Sequence, residues 1–278
     1  MSDWQTENRF EKSYVRVLNK LIKQIFKSLS GITNPKEIVN RLREMSEQKK
    51  FKDYCEQLAF TMVTHINKKV AGTWRKASLE NGKGREIRNS LLNELTDSTI
   101  KKSIDEQIAI NATIIITLPQ NIAEQVVKYI EVETLTGRRS LDIAADILKM
   151  FPEKTTANAK LIARTEVSKT QCALVRARAE ALGLDWYIWR TSKDSRVRSS
   201  HDVMDGVLVR WSDPPNPESL DKNNKQKQNR KYHAGDIYNC RCYAEPVISW
   251  DLVKFPCKVY SKGRIFENVK KQDFMNRF

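Results

Sequence analysis

Apolar residues recur at three- and four-residue spacing through roughly the first 180 positions, then give way to short aromatic and β-branched clusters. The first stripe is Phe10, Tyr14, Val17, Leu18, Leu21, Ile25 and Leu29, a spacing that lines one face of an α-helix, and Gly31 ends it. Asn34-Pro35 opens a second helix, with Asn as cap and Pro at the first helical position. Tyr54, Leu58, Met62 and Ile66 form a third stripe, followed by Trp74. Helical pattern resumes from Ile87 to Ile110, interrupted by the cap signal Thr96-Asp97-Ser98-Thr99. Pro119 breaks it and Ile122 to Ile130 restores it. Ser140 caps Leu141 to Met150, and a long helix then runs from about Thr156 to Leu182, where Gly183 stops it with a left-handed cap.

Beyond Gly183 the period shortens. Trp186-Tyr187-Ile188-Trp189, Val207-Leu208-Val209-Arg210-Trp211, Val247-Ile248-Ser249-Trp250 and Lys258-Val259-Tyr260 read as short strands, with Ser261-Lys262-Gly263-Arg264 as a hairpin turn. The fold class expected is therefore α+β: a predominantly helical N-terminal half, residues 1–154, followed by a small α+β C-terminal domain with short strands, residues 155–278. A loop opened by Pro214, Pro215 and Pro217 runs through Lys231 with no apolar residue from Asp221 onward.

Composition narrows the classes of function. The chain has 278 residues, 40% hydrophobic and 30% charged, and a mean hydropathy of −0.58. No apolar run approaches the ~20 residues a membrane helix needs, so no membrane partner is expected. Met1 to Glu7 carries neither the basic nor the apolar segment of a signal peptide, which places the chain in a cytoplasm-like compartment until it joins a larger assembly. The formal net charge is +15. Such a surplus attracts polyanions, nucleic acid first. No zinc finger of usual spacing, aromatic RNA-binding motif or leucine zipper accompanies it, so sequence-specific reading is not expected. Lys222, Lys225, Lys227, Arg230 and Lys231 make the loop basic. It either lies along a DNA backbone or is simply solvated.

The rare, chemically capable residues are concentrated. Two of three histidines and two of five cysteines fall in Lys193–Gly206 and His233–Cys242. An odd cysteine count forbids a complete set of internal disulfides; Cys55 and Cys172 sit in helical pattern as small buried hydrophobes. His201, His233, Cys240 and Cys242 make a two-His, two-Cys set suited to tetrahedral zinc, with Cys257 as a rival ligand. The competing reading is a hydrogen-bonded polar core, Asp194 or Asp205 pairing with Arg196, Arg198 or Arg241 and His201 satisfied nearby. In an extended segment Asp194, Arg196 and Arg198 share a face, which would pin them against Glu166; alternatively the arginines clamp phosphates. Gly206 after Asp205 reads as a turn needing positive φ.

Taken in order, Arg164-Thr165-Glu166 on the long helix, Gly183 with an aromatic strand, Asp194-x-Arg196-x-Arg198-x-x-His201-x-x-x-Asp205-Gly206 and Asn239-Cys240-Arg241-Cys242 resemble the phage Mu F-like minor head protein family, the phage head morphogenesis proteins. The resemblance covers roughly residues 155–250, with His233-Ala234-Gly235-Asp236 standing where the family usually shows a Pro-Gly pair. It implies a non-enzymatic minor component of a tailed-phage head, inside the virion near the portal vertex and in the host cytoplasm during assembly. Portal protein, capsid or scaffold components and double-stranded DNA are the partners it implies. Two other classes stand beside it. One is a metal-dependent nuclease or toxin-like hydrolase built on His201, Asp205 and His233. The other is a cellular protein that binds nucleic acid without sequence preference. No phosphate-binding loop, Gly-x-Ser-x-Gly elbow or His-Glu-x-x-His favours the enzyme.

Overall fold

The structure, a computed structural model, describes residues 2–80, 82–93, 98–223 and 230–278. Seven helices come first: α1 (Asn8–Ser28), α2 (Pro35–Glu47), α3 (Lys49–Glu80), α4 (Gly84–Leu92), α5 (Ser98–Ile116), α6 (Leu118–Leu135) and α7 (Ser140–Ala181). Strand β1 (Trp186–Arg190), helix α8 (Ser199–Asp202), strand β2 (Val207–Arg210), helix α9 (Pro217–Leu220) and strands β3 (Tyr243–Pro246), β4 (Cys257–Ser261) and β5 (Arg264–Val269) follow, and α10 (Lys271–Arg277) ends the chain. The α+β class expected from the sequence is what the structure has. No helix of the described residues is long and apolar enough to cross a membrane.

Local signals account for several boundaries. The Asn34 side chain accepts a bond from the Lys36 amide at 3.0 Å, with Pro35 in the first turn, as the sequence predicts. Gly183 takes φ +64 after α7. Of the cap signal expected before α5, Thr96 and Asp97 lie outside the described residues. The expected break between Leu141–Met150 and Thr156–Leu182 is absent, because α7 runs unbroken for 42 residues with Pro152 inside it. Proline there costs about 3 kcal/mol. Burial of Ile147, Phe151, Ala159 and Ala163 on both sides offsets that cost, since packing more than propensity holds helices.

The compact units do not follow a single cut near residue 155. One is residues 8–64 with 106–163; the other is 1–7, 65–105 and 164–278. The chain is divided this way because α3, α5 and α7 each contribute residues to both. In the helical unit, α2 packs on α6 with Ile38, Leu42, Ile122 and Val126 all buried. Arg138 there clamps the end of α6 to α7, pairing with Glu133 at 2.8 Å and Asp146 at 2.7 Å and holding the Asp146 carboxyl below its usual range.

The second unit is built on a five-stranded sheet in the order β3-β1-β2-β4-β5, antiparallel except for the parallel β2–β4 pair. Alternation along β1 gives the sheet two different faces. Trp186 and Ile188 enter an apolar cluster with Leu208, Val247, Val253, Val259, Val269 and Phe274. Tyr187 and Trp189 point the other way, fully buried, toward the two histidines. Each such ring contributes roughly 2–3 kcal/mol by burial. The strand expected over Val247–Trp250 is displaced: pairing with β1 uses Tyr243 to Pro246, and Trp250 to Leu252 form a 3-10 turn. Strand β5 and helix α10 extend the expected hairpin, and Phe274 of α10 closes the apolar cluster.

Candidate metal centre

The site forms where α8 meets the segment leading into β3. His201 lies on α8, a four-residue helix whose backbone is set by the Arg198 carbonyl accepting from the His201 amide at 2.9 Å. Cys240 and Cys242 stand 39 and 41 positions later, just before β3. The turn that delivers them starts at Asn239, which takes φ +54, a conformation asparagine tolerates better than most residues. Its amide donates to Thr165 Oγ1 at 2.9 Å, and its side-chain oxygen accepts from Arg164 at 2.9 Å, so α7 fixes the turn. The Cys242 amide donates to Cys240 Sγ at 3.3 Å, which turns both sulfurs to one side.

His201 Nδ1 lies 3.5 Å from Cys240 Sγ and 3.4 Å from Cys242 Sγ, and a donor atom from each of the three residues falls within 4.8 Å of the others. All three are buried, at 2 to 3% exposure. On the far side of the ring, Nε2 is 3.0 Å from the Tyr232 hydroxyl, which donates to Glu218 Oε1 on α9 at 2.6 Å. Tyr232 has one proton and the carboxylate takes it, so the hydroxyl oxygen accepts from His201 Nε2–H. That assignment leaves Nδ1 unprotonated and facing the two sulfurs. Burial and the Glu218 carboxylate push the Tyr232 hydroxyl's pKa up, which keeps its proton in place. The two thiols are driven apart: Cys240 falls well below the ordinary thiol range through its bond with Cys242, and Cys242 rises above it.

His233 is not in this group. Its Nδ1 lies 3.1 Å from the Tyr187 hydroxyl, and its ring packs edge-on to Tyr187 and Trp211, centroids 5.6 and 5.2 Å away. Burial, with the Arg176 charge second, lowers its pKa to about 3. The four-ligand set expected from the sequence is thus corrected to three, because the aromatic pair at the β1–β2 end captures the second imidazole. The rival Cys257 sits in β4 beside the apolar cluster, away from the site. Gly235 makes the geometry possible. At φ +89, a β-carbon on it would lie 2.9 Å from the Cys242 carbonyl and 3.1 Å from Ser168 Oγ of α7.

The surrounding charges pair with one another. Asp194 contacts Arg196 and Arg241, both at 3.3 Å, as one of the two sequence readings held. The segment is a turn, not an extended run: Asp194 Oδ1 accepts the Arg196 amide at 2.9 Å, and Lys193 has φ +54. Glu166 is not the anchor for these arginines. It is buried near Lys169, 3.7 Å away, and burial raises its pKa. Arg198 donates to the Tyr238 carbonyl at 2.8 Å and lies over that ring. Asp205 accepts from the Thr191 amide and hydroxyl at 2.8 and 3.1 Å, and Gly206 has the expected positive φ, +78. Lys222, Arg230 and Lys231 are exposed; Lys225 and Lys227 lie outside the described residues. Tyr232 and Glu218 escaped the sequence reading. Asn216-Pro217 is a helix-start signal that exposes the start of α9, but nothing in the sequence alone places Tyr232 between it and His201.

Against known proteins, residues 120–245 match the family described as phage Mu protein F like protein. A Haemophilus influenzae relative described as an uncharacterized protein is 29% identical over 171 residues, covering 62% of this chain. The chain spans about a third of that relative's length, 34%. No solved structure matches. The matched region contains all of α7, both thiols, His201 and the turn at Asn239, so it is over these elements that the chain is similar to the phage Mu protein F-like family.

Proposed function

We propose that the chain is a minor head protein of a tailed bacteriophage, acting in head morphogenesis from inside the particle near the portal vertex. The family match over residues 120–245 carries this reading. The +15 charge supports a second element of it, contact with packaged double-stranded DNA through phosphate without base reading. Exposed Lys222, Arg230 and Lys231 flank the loop that would follow the backbone. The helical unit, which leaves Phe60, Ile110, Val132, Leu135 and Leu141 exposed, would dock on the portal or a neighbouring capsid component.

A non-enzymatic role fits the geometry better than hydrolysis. His201 and His233 are both buried, each engaged by a tyrosine hydroxyl, and Asp205 is occupied by Thr191. A nuclease needs such groups facing its substrate. The test is co-sedimentation of the purified chain with the portal oligomer of the same phage. The expected result is a stable complex, together with loss of normal heads when the gene is deleted. Free chain remaining in the supernatant at every salt concentration, with heads assembling normally without it, would overturn the proposal.

A further inference from the structure

We propose that His201, Cys240 and Cys242 hold a structural zinc ion whose fourth position is taken by a water molecule. The inference is independent of the phage-head reading. Its first support is distance. Zinc bonds of about 2.3 Å to sulfur and 2.0–2.1 Å to nitrogen, at tetrahedral angles, separate a nitrogen from a sulfur ligand by about 3.5 Å. His201 Nδ1 stands at 3.5 and 3.4 Å from the two sulfurs. Apolar packing gives no reason for one imidazole nitrogen to sit equally close to two thiols drawn from 39 and 41 positions away.

The second support is the far side of the imidazole. Metal-bound histidines regularly donate their other ring N–H to a carboxylate or an intervening group, which fixes the tautomer and raises the basicity of the ligating nitrogen. Here the chain of contacts runs from His201 Nε2 to Tyr232 to Glu218, at 3.0 and 2.6 Å, with all three side chains carried by different segments. It presents Nδ1 as a lone pair, the form a metal requires.

Charge and space complete the argument. Two thiolates neutralise a divalent cation, so the complex can be buried at 2 to 3% exposure without net charge. Soft sulfur with imidazole selects zinc over magnesium or calcium, which take oxygen. Three protein ligands with an open fourth position also describe catalytic zinc. All three ligands are buried at 2 to 3% exposure, however, and the cavity that touches Cys242, lined by Trp4, Ser168, Cys172, Ala234 and Tyr243 among others but not by His201 or Cys240, holds only about 10 Å³, too little for a substrate. The ion therefore fastens α8 to the thiol segment and closes the excursion that includes the basic loop.

The test measures zinc per chain by inductively coupled plasma mass spectrometry on full-length protein, purified reduced and reconstituted with zinc. One equivalent is expected in the wild type and in His233→Gln, and none in a variant combining His201→Gln with Cys242→Ser. Tyr232→Phe should keep the ion but bind it roughly 10–100-fold more weakly in competition with a chromogenic chelator. Because the double variant could fail to fold, cobalt is also substituted into wild-type protein. Thiolate-to-cobalt charge transfer with tetrahedral ligand-field bands is expected, along with a lower Tm once the metal is stripped. Folded wild-type protein that takes up no zinc, an octahedral cobalt spectrum, a Cys240–Cys242 disulfide in protein purified under reducing conditions, or zinc retained by a folded double variant would each overturn the proposal.

Discussion

His233 makes a quantitative prediction about acid stability. It is 4% exposed, between Tyr187 and Trp211, and its pKa falls to about 3 from the ordinary value of 6.5. Between those values the unfolded chain carries one more proton than the fold, so the folded state loses stability as pH drops from about 6.5 toward about 3 and keeps all of it above 6.5. Each pH unit inside that window costs up to about 1.4 kcal/mol. From about pH 7.5 to about pH 4.5 this residue alone should remove about 2.7 kcal/mol, a large fraction of a domain's ~5–15 kcal/mol. Glu166 and Asp236, whose pKa values are raised by burial, act in the opposite direction in the carboxylate range and are common to wild type and variant. The comparison is therefore with His233→Gln, which cannot take up the proton but can still bond Tyr187. Urea midpoints measured from about pH 7.5 down to about pH 4.5 should converge, the variant starting lower from lost ring contacts and losing less. Parallel curves would show that His233 is protonated in the fold and would refute the reasoning.

Other substitutions probe other parts of the argument. Gly235→Ala adds a β-carbon 2.9 Å from the Cys242 carbonyl at a φ of +89, and should lower stability by roughly 2–4 kcal/mol in a thermal melt, with zinc content falling in step. Arg178, 1% exposed, donates to Asn67 at 2.7 Å and to the Leu174 carbonyl at 3.1 Å; Arg178→Ala should cost about 2–4 kcal/mol by urea titration, whereas a loss below 0.5 or so would mean the site is wet. Replacing Lys222, Arg230 and Lys231 with Glu should flatten the salt dependence of duplex DNA binding, reducing the slope of log K against log salt by up to about 2.7; an unchanged slope would place the DNA surface elsewhere. Asp194→Ala breaks contacts with Arg196 and Arg241 at a solvent-facing turn, and should change stability by no more than about 1 kcal/mol without altering zinc content.

Features that repeat locally were legible in the sequence, and features that depend on convergence were not. The stripe through Tyr14, Leu18, Leu21 and Ile25 is buried as its spacing requires, because helical period and burial are the same fact seen twice. The Asn34 cap and the positive φ of Gly206 follow from chemistry within a few residues. His201, Cys240 and Cys242 stood out because such residues are scarce, and the fold does bring them together. What separates His233 from them is a ring pair supplied by Tyr187 of β1 and Trp211 after β2, and no spacing rule reports that. Tyr232 and Glu218 look like ordinary surface-loop residues until α9 folds against α8. The shift of the third strand from Val247–Trp250 to Tyr243–Pro246 has a similar origin: register against β1 is set by the chain entering from the thiols, not by local β propensity. The discontinuous units likewise come from which helices pack, and a linear reading sees only neighbours along the chain.

The parallel ladder between β2 and β4 imposes an order on synthesis. A growing chain can join β1 to β2 as soon as Arg210 leaves the ribosome, but that ladder has to wait for Lys258 and Val259. Glu218, Tyr232 and both thiols emerge during that interval. The nascent protein thus has its imidazole and both thiols outside the ribosome while its central sheet is still open on one side, and the long contacts that finish the sheet are the slow ones.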